Sequence, residues 1–243
     1  MIIKIKDVNI NYVRYGKKEK PAIVFLHGWG QNIEMMTPLG DARKEKNDVV
    51  IIDLPGFGRS EEPKYAWQLM DYVDMLKELF DKLNIINPIL VGHSFGGRIS
   101  LAYASMYNVD KMILFGSPFK KEVTTDSFKT KLLKTAKKIP LLNNLEEFAK
   151  KHIGSTDYRN ATPVMREILV NTVNYDLTED IKKIKCSTLL IWGTLDEAVP
   201  LNRAYELKDL ISDCGIVEYE GCTHYAYLER LKQTIKIMDS FLG

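Results

Sequence analysis

Short continuous apolar runs alternate with segments of helical periodicity, and this alternation most restricts the fold. Runs of three to five apolar residues begin at Ala22, Val49, Ile89, Met112 and Leu189. A run without alternating polar residues is typical of a strand that is covered on both faces. Apolar residues at helical spacing separate these runs, as at Leu69, Tyr72, Val73, Leu76, Phe80 and Leu83. The pattern predicts an α/β protein with a mostly parallel sheet and helices on both faces.

Three further predicted strands bring the sheet to eight strands. Residues 2–5 and 8–15 alternate apolar with polar side chains on either side of Lys6-Asp7, which predicts an antiparallel opening pair. Residues 216–219 form the last predicted strand, before a final helical segment that includes Leu228, Leu231 and Met238.

Residues 117–186 contain no apolar run of the buried-strand kind. They show helical patterns punctuated by Pro118, Pro140 and Pro163. We therefore predict a helical cap at 117–186, inserted after the sixth strand, and a core domain made of 1–116 and 187–243. Aromatic residues of this cap are candidates for a substrate-binding wall, although aromatics at helical spacing more often belong to a core: Phe119, Phe128, Phe148 and Tyr158.

Composition narrows the class of partner. The 243 residues carry a formal charge of only +2, too little by itself to indicate a nucleic-acid or anionic-membrane partner. No stretch of about 18 apolar residues is present, and the N-terminus does not resemble a secretory signal. The three cysteines include no C-x-x-C pair and are interpreted as reduced thiols. We expect a cytoplasmic protein, a monomer or weak homodimer, with a small-molecule substrate and without metal, cofactor, nucleic-acid or membrane partners.

The most specific motif is G-H-S-F-G at 92–96, directly between a predicted strand and a predicted helix. A serine on so sharp a turn needs neighbours without side chains, and Gly92 and Gly96 provide that room. The turn would raise the Ser94 hydroxyl above the sheet. It would also leave the Phe95 N–H at a helix N-terminus, where it can donate to developing negative charge.

This motif and others resemble the α/β-hydrolase fold family, over essentially the whole chain. His27-Gly28-Trp29-Gly30 is similar to the HG-x motif of the family, which implies that the Trp29 N–H completes the oxyanion hole. Its indole is also a candidate substrate contact, because the two roles are compatible. The run from Asp53 to Ser60 resembles the loop after the next strand of the family, where Asp53 is interpreted as structural.

A serine nucleophile needs a histidine base, and the chain has four histidines. His27 precedes the predicted oxyanion loop, His93 is expected to point away from its neighbour Ser94, and His152 lies in the predicted cap. His224 follows the last strand, where the family's loop carries its general base. It is therefore the predicted base.

The base in turn needs a carboxylate partner. Asp196 is the leading candidate and Glu197 the nearby rival, in a stretch similar to the family's acid-bearing loop. The order Ser94, Asp196, His224 is the order that accompanies this elbow. Cys222, two residues before His224, suggests a metal or thiol site, but no second pair of ligands accompanies it.

A serine excludes the relatives that attack with an aspartate and implies an acyl-enzyme. The leading hypothesis is a serine hydrolase, resembling carboxylesterases, that cleaves a small carboxylic ester. Arg98 leaves an alternative open, because a menaquinone-pathway lyase, the succinyl-cyclohexadiene carboxylate synthase, has a similar Gly-Gly-Arg and an anionic substrate. Arg98 is therefore a candidate substrate ligand, although a buried ion pair is the favoured interpretation. A non-enzymatic receptor of this fold is a third hypothesis.

Overall fold

In the computed structural model, which describes residues 1–121 and 161–243, eight strands form one sheet. The strands are β1 (Ile2–Ile5), β2 (Val8–Gly16), β3 (Ala22–Leu26), β4 (Asp48–Ile52), β5 (Ile89–His93), β6 (Lys111–Phe115), β7 (Ser187–Gly193) and β8 (Cys214–Tyr219). Their order is β1-β2-β4-β3-β5-β6-β7-β8. The pairs β1/β2 and β2/β4 are antiparallel, and every other neighbouring pair is parallel. The predicted sheet and its antiparallel opening are confirmed.

The helices of the described residues are numbered here in chain order. They are α1 (Ile33–Arg43), α2 (Leu69–Leu83), α3 (Phe95–Ala104), α4 (Pro163–Asn174), α5 (Thr178–Ile181), α6 (Asn202–Leu210), α7 (Ala226–Glu229) and α8 (Leu231–Leu242). The final helical pattern is interrupted, because Arg230 (φ −118°, ψ 40°) leaves the helical region between α7 and α8.

Both faces of the sheet are covered, which explains the continuous apolar runs. On β3, Ile23 and Phe25 pack into the core that also contains Met36 of α1 and Met238 of α8. Val24 and Leu26 pack into the opposite core, which contains the buried faces of α2 and α3. Burying one such aliphatic side chain contributes about 1.5–3 kcal/mol relative to exposing it. Side-chain packing on both faces of the sheet therefore stabilises these strands.

The described residues between β6 and β7 contain α4 and α5 and no strand. Helix α4 begins with Thr162 as its cap, and its Met165 fills the space beside Gly56. Phe119 is buried in the core, while the other three aromatics predicted for the cap, and His152, lie outside the described residues. A separate cap over 117–186 stays a prediction.

Within the described ranges, none of the helices is both long enough and apolar enough to cross a lipid bilayer.

Candidate active site

The turn at Ser94 joins β5 directly to α3. Ser94 has φ 50° and ψ −110°, a conformation that costs a non-glycine residue about 1–3 kcal/mol. Its N–H donates to the Phe115 carbonyl of β6 (2.9 Å), and its carbonyl accepts from the Arg98 N–H (2.9 Å). The strained turn is thus held by the neighbouring strand and by the first turn of α3.

Close backbone approach at this turn requires glycine. A methyl group on Gly92 would collide with the backbone of Gly97, and one on Gly96 would collide with the Leu26 carbonyl. Gly97 lies outside the sequence motif. The Ser117 hydroxyl occupies the space that a Cβ on Gly97 would need. The room expected from Gly92 and Gly96 is present, and Gly97 adds to it.

Asp196 and His224 form a buried pair. The Nδ1 of His224 lies 2.8 Å from Oδ2 of Asp196. The other carboxylate oxygen accepts the N–H groups of Ala198 (2.9 Å) and Val199 (2.8 Å), which fixes the carboxylate. Glu197 is exposed. The partner of His224 is therefore Asp196 rather than its sequence neighbour.

The second ring nitrogen of His224 is available. Its Nε2 is buried and has no hydrogen-bond partner among residues 1–121 and 161–243. Gly116, at φ 50°, packs so closely on the pair that a Cβ there would come within 2.8 Å of Nδ1 of His224 and 3.0 Å of Oδ2 of Asp196. Gly116 directly follows Phe115, whose carbonyl binds the Ser94 N–H. Ser94, Asp196 and His224 therefore gather at one end of the parallel strands.

Among the described residues, two of the backbone N–H groups beside the elbow have acceptors and two do not. The N–H of Gly28 donates to Oε1 of Gln31 (2.9 Å), and the N–H of Gly96 donates to the His27 carbonyl (3.0 Å). By contrast, the N–H groups of Trp29 and Phe95 have no acceptor in the part of the chain that the structure describes. Their rings also touch, with centroids 5.2 Å apart. The two residues assigned to the oxyanion hole are thus in contact, and the backbone N–H of each has no acceptor among the described residues.

An aromatic cluster lines this corner. The Trp29 ring meets Phe57 edge-on at a centroid distance of 4.9 Å, and Phe57 lies 6.4 Å from Phe95. Trp29 and Phe57 are only half-buried, whereas Phe95 is buried. Partly exposed aromatic rings next to a reactive corner are typical of a binding-site wall.

His27 and Asp53 have structural roles. Nε2 of His27 accepts the Leu54 N–H (3.0 Å), so its Nδ1 donates to the Gly28 carbonyl (2.7 Å). Burial lowers the pKa of His27 to about 4. The Asp53 carboxylate accepts the N–H groups of Ile33 (2.7 Å) and Arg59 (2.8 Å), as expected of a structural residue.

Arg98 binds the C-terminal end of α4. Its guanidinium is buried and donates to the carbonyls of Tyr175 and Val173 (3.4 Å to the latter), at the C-terminal end of α4. Burial lowers the pKa of Arg98 to about 10, against the attraction of Asp176. The favoured ion pair is not found among the described residues, where Nη2 of Arg98 instead binds two backbone carbonyls and Nε is buried without a partner. A role for Arg98 as a substrate ligand stays a prediction.

We expect Arg98→Met to destabilise the fold without changing ester specificity. The variant loses two charged hydrogen bonds to the end of α4, each worth about 1.5–3 kcal/mol, and urea unfolding should report a loss of about 3 kcal/mol or more. Arg98→Lys, which can reach one carbonyl, should lose less. Unchanged stability together with a raised KM for anionic esters alone would instead make Arg98 a substrate ligand.

Three site residues were not found from the sequence. Gln31 binds the Gly28 N–H, Gly116 packs on the His224 ring, and His93 lies with its ring 4.8 Å from that of His224. His93 was expected to point away from Ser94. Its ring contacts the backbone carbonyl of His224. The contacts of Gly116 and His93 join distant parts of the chain, so no local motif predicts them, whereas Gln31 contacts a residue only three positions away.

Cys222 makes a structural contact. Its sulfur accepts a hydrogen bond from Nε of Arg230 (3.4 Å), and burial raises the pKa of its thiol. All three cysteines are free. Among residues 1–121 and 161–243, no group of three or more His, Cys, Asp or Glu residues could hold a metal ion.

Several known proteins of similar sequence are named as hydrolases or lipases. A family model described as the alpha/beta hydrolase fold matches residues 21–141. Monoacylglycerol lipase ABHD6 of Homo sapiens is 25% identical over 92% of this chain and 76% of its own length. A 2-hydroxy-6-oxononadienedioate/2-hydroxy-6-oxononatrienedioate hydrolase of Pseudomonas putida is 26% identical over 97% of this chain and 92% of its own length.

Solved structures agree on the fold. MGS-M2, an alpha/beta hydrolase enzyme from a Medee basin deep-sea metagenome library, superposes over 100% of this chain and 97% of its own, with a TM-score of 0.85 at 21% identity. Est816, titled an N-acyl homoserine lactone degrading enzyme, has a TM-score of 0.83 at 19% identity over 99% of this chain and 100% of its own. From its strand order, its elbow and these matches, the chain belongs to the α/β-hydrolase fold family.

Proposed function

We propose that the protein is a serine hydrolase that cleaves a small carboxylic ester through Ser94, His224 and Asp196. The observation that carries the proposal is the buried pair of Asp196 and His224, 2.8 Å apart. Nε2 of this histidine has no partner among the described residues and lies at the same strand ends as the strained turn at Ser94. A carboxylate on Nδ1 holds the imidazole in the tautomer whose Nε2 accepts a proton.

In the first half of the reaction, Oγ of Ser94 attacks the ester carbonyl carbon while its proton passes to Nε2 of His224. The carbonyl oxygen becomes an oxyanion, which the N–H groups of Trp29 and Phe95 would bind. Removing one such donor generally costs about 10²–10³ in kcat. Collapse of the intermediate breaks the ester bond, and the alcohol leaves with the proton from His224.

In the second half, His224 takes a proton from water, and the resulting hydroxide attacks the acyl-enzyme. The second oxyanion uses the same donors. Its collapse breaks the bond to Ser94, which recovers its proton from His224, and a carboxylic acid is released. None of these reaction steps requires a cofactor or a metal.

Two observations favour an apolar ester. The half-buried rings of Trp29 and Phe57 present apolar surface beside the proposed oxyanion donors. The monoacylglycerol lipases of three mammals are among the relatives, and their name denotes ester hydrolysis. The recorded contacts of Arg98 are with backbone carbonyls, and they do not by themselves favour the lyase alternative.

The test combines a covalent probe with a substrate panel. A fluorophosphonate should label the wild type once, at Ser94, as located by peptide mass spectrometry. A series of p-nitrophenyl esters of increasing acyl length should then be turned over, with a burst of p-nitrophenol equal to the enzyme concentration if deacylation is slow.

The other hypotheses appear as distinct outcomes of this test. Turnover of a succinylated cyclohexene dicarboxylate precursor, with none of any ester, would replace the esterase by the lyase. Tight ligand binding without turnover of any substrate would indicate the receptor. A cytoplasmic location, a monomeric or weakly dimeric state, and the cap over residues 117–186 remain predictions from the sequence.

A further inference from the structure

His93 joins two loops that the proposed reaction needs. Its Nε2 lies 3.1 Å from the carbonyl oxygen of His224, and its Nδ1 lies 3.2 Å from Oε1 of Gln31. The first contact fixes the loop that carries the base. The second reaches the loop that carries the Trp29 N–H.

The Gln31 side chain passes this contact on to the oxyanion loop. Its Oε1 also accepts the Gly28 N–H at 2.9 Å, one residue before Trp29. The Tyr225 hydroxyl, one residue after His224, also interacts with the Gln31 side chain. His93 and Gln31 together therefore span the space between the two loops.

Packing leaves His93 little freedom to move. The imidazole is fully buried, with ring centroids 4.8 Å from His224, 5.2 Å from Tyr225 and 4.9 Å from Tyr227. On the other side, a Cβ at Gly28 would lie 2.8 Å from Nδ1 of His93. A shift of His93 would thus move the His224 loop or the Gly28 loop.

His93 meets two oxygen acceptors with a single proton. Desolvation, and then the charge of His224, lower the pKa of His93 well below its usual value, so the ring stays neutral while His224 gains and loses a proton. A neutral imidazole has one N–H, so only one of the two contacts is a hydrogen bond donated by His93 at a time.

We infer that His93 is a positioning residue: its imidazole, bridging the His224 carbonyl and the Gln31 side chain, sets the distance between the proposed general base and the proposed oxyanion donors. The inference rests on the proposed function of that site. A misplacement of about 1 Å in such a site can cost about 100-fold in rate, even when the misplaced group does not touch substrate.

The variants separate the two contacts. His93→Leu removes both. His93→Gln can place an amide near the position of Nε2, facing the His224 carbonyl, and His93→Asn can place one near Nδ1, facing Gln31. Thr188→Val is the matched control, because Thr188 is also buried and also donates to a backbone carbonyl, that of Cys186 (3.1 Å), at the opposite end of β7.

We expect kcat for a neutral ester to fall about 100-fold in His93→Leu, with KM within about twofold of wild type. His93→Gln should recover kcat to within about tenfold of wild type, and Thr188→Val should match it within about twofold. Gln31→Leu should cost less in the His93→Leu protein than in wild type, because its contact with His93 is already lost there, while its contacts with Gly28 and Tyr225 are lost in both backgrounds. Losses that multiply would overturn the inference, as would a His93→Leu loss no larger than its unfolded fraction explains.

A second readout does not depend on turnover. The His224 Nδ1–H should give a downfield proton resonance, assigned by its absence in His224→Gln. We expect it to shift or broaden in His93→Leu and to stay unchanged in Thr188→Val. An unchanged resonance in His93→Leu contradicts the positioning role. A shifted resonance in a protein that hydrolyses no ester supports the positioning role while the proposed function fails.

Discussion

Ser94→Ala should lower kcat for the best ester by about a millionfold and abolish labelling by a fluorophosphonate. The size follows from the way a nucleophile, base and acid act as one unit, since losing the nucleophile removes the covalent route altogether. A residual rate of about 10³–10⁴ over water would remain from the oxyanion donors and from substrate binding. Initial rates at saturating substrate and intact-mass spectrometry measure the two effects.

Two controls show that the loss is chemical. Ser94→Gly removes the hydroxyl and also relieves the φ of 50°, so it should be as inactive as Ser94→Ala but more stable to urea. Ser100→Ala removes a buried hydroxyl from the same helix, one that donates to the Gly96 carbonyl at 2.8 Å, and should keep kcat within about twofold. Turnover by Ser94→Gly at the wild-type rate would mean that another group attacks the substrate.

The sheet could be predicted from the sequence because its signals are local. A run such as residues 22–26 is apolar throughout, since its alternate side chains enter two separate cores. The elbow was equally visible, because strand, motif and helix are contiguous at 89–104. The break at Arg230 was not, since the apolar spacing of residues 228–238 continues across it and only the backbone angles show it.

The site was predictable where a residue type alone restricts the choice. Four histidines and a strand-end position were enough to select His224, which the structure pairs with Asp196. The contacts of His93 and Arg98 were missed for a different reason. His93 reaches a residue 131 positions away, and Arg98 reaches carbonyls 75 and 77 positions away. Backbone carbonyls carry no sequence signal, so only the fold reveals such partners.

Asp196→Asn should lower kcat by about 10⁴ while leaving the site intact. The carbonyl oxygen of the substituted amide can still accept the N–H groups of Ala198 and Val199, but the amide nitrogen would then face Nδ1 of His224. An amide donor there favours the tautomer with the proton on Nε2, which is the wrong tautomer for a base and costs about 10⁴ in a serine hydrolase. Steady-state rates on the best ester measure the loss.

Glu197→Gln is the matched control for this prediction, because it makes the same chemical change one residue further along the chain. The exposed Glu197 side chain should be replaceable with kcat within about twofold of wild type. The Asp196→Asn protein should also label more slowly with the fluorophosphonate, since the probe too needs a deprotonated Ser94. A 10⁴-fold loss in Glu197→Gln, with Asp196→Asn near wild type, would assign the acid to Glu197. The Asp196 contact with His224 would then be structural, and the base would have to be oriented by a loop arrangement other than the one in this structure.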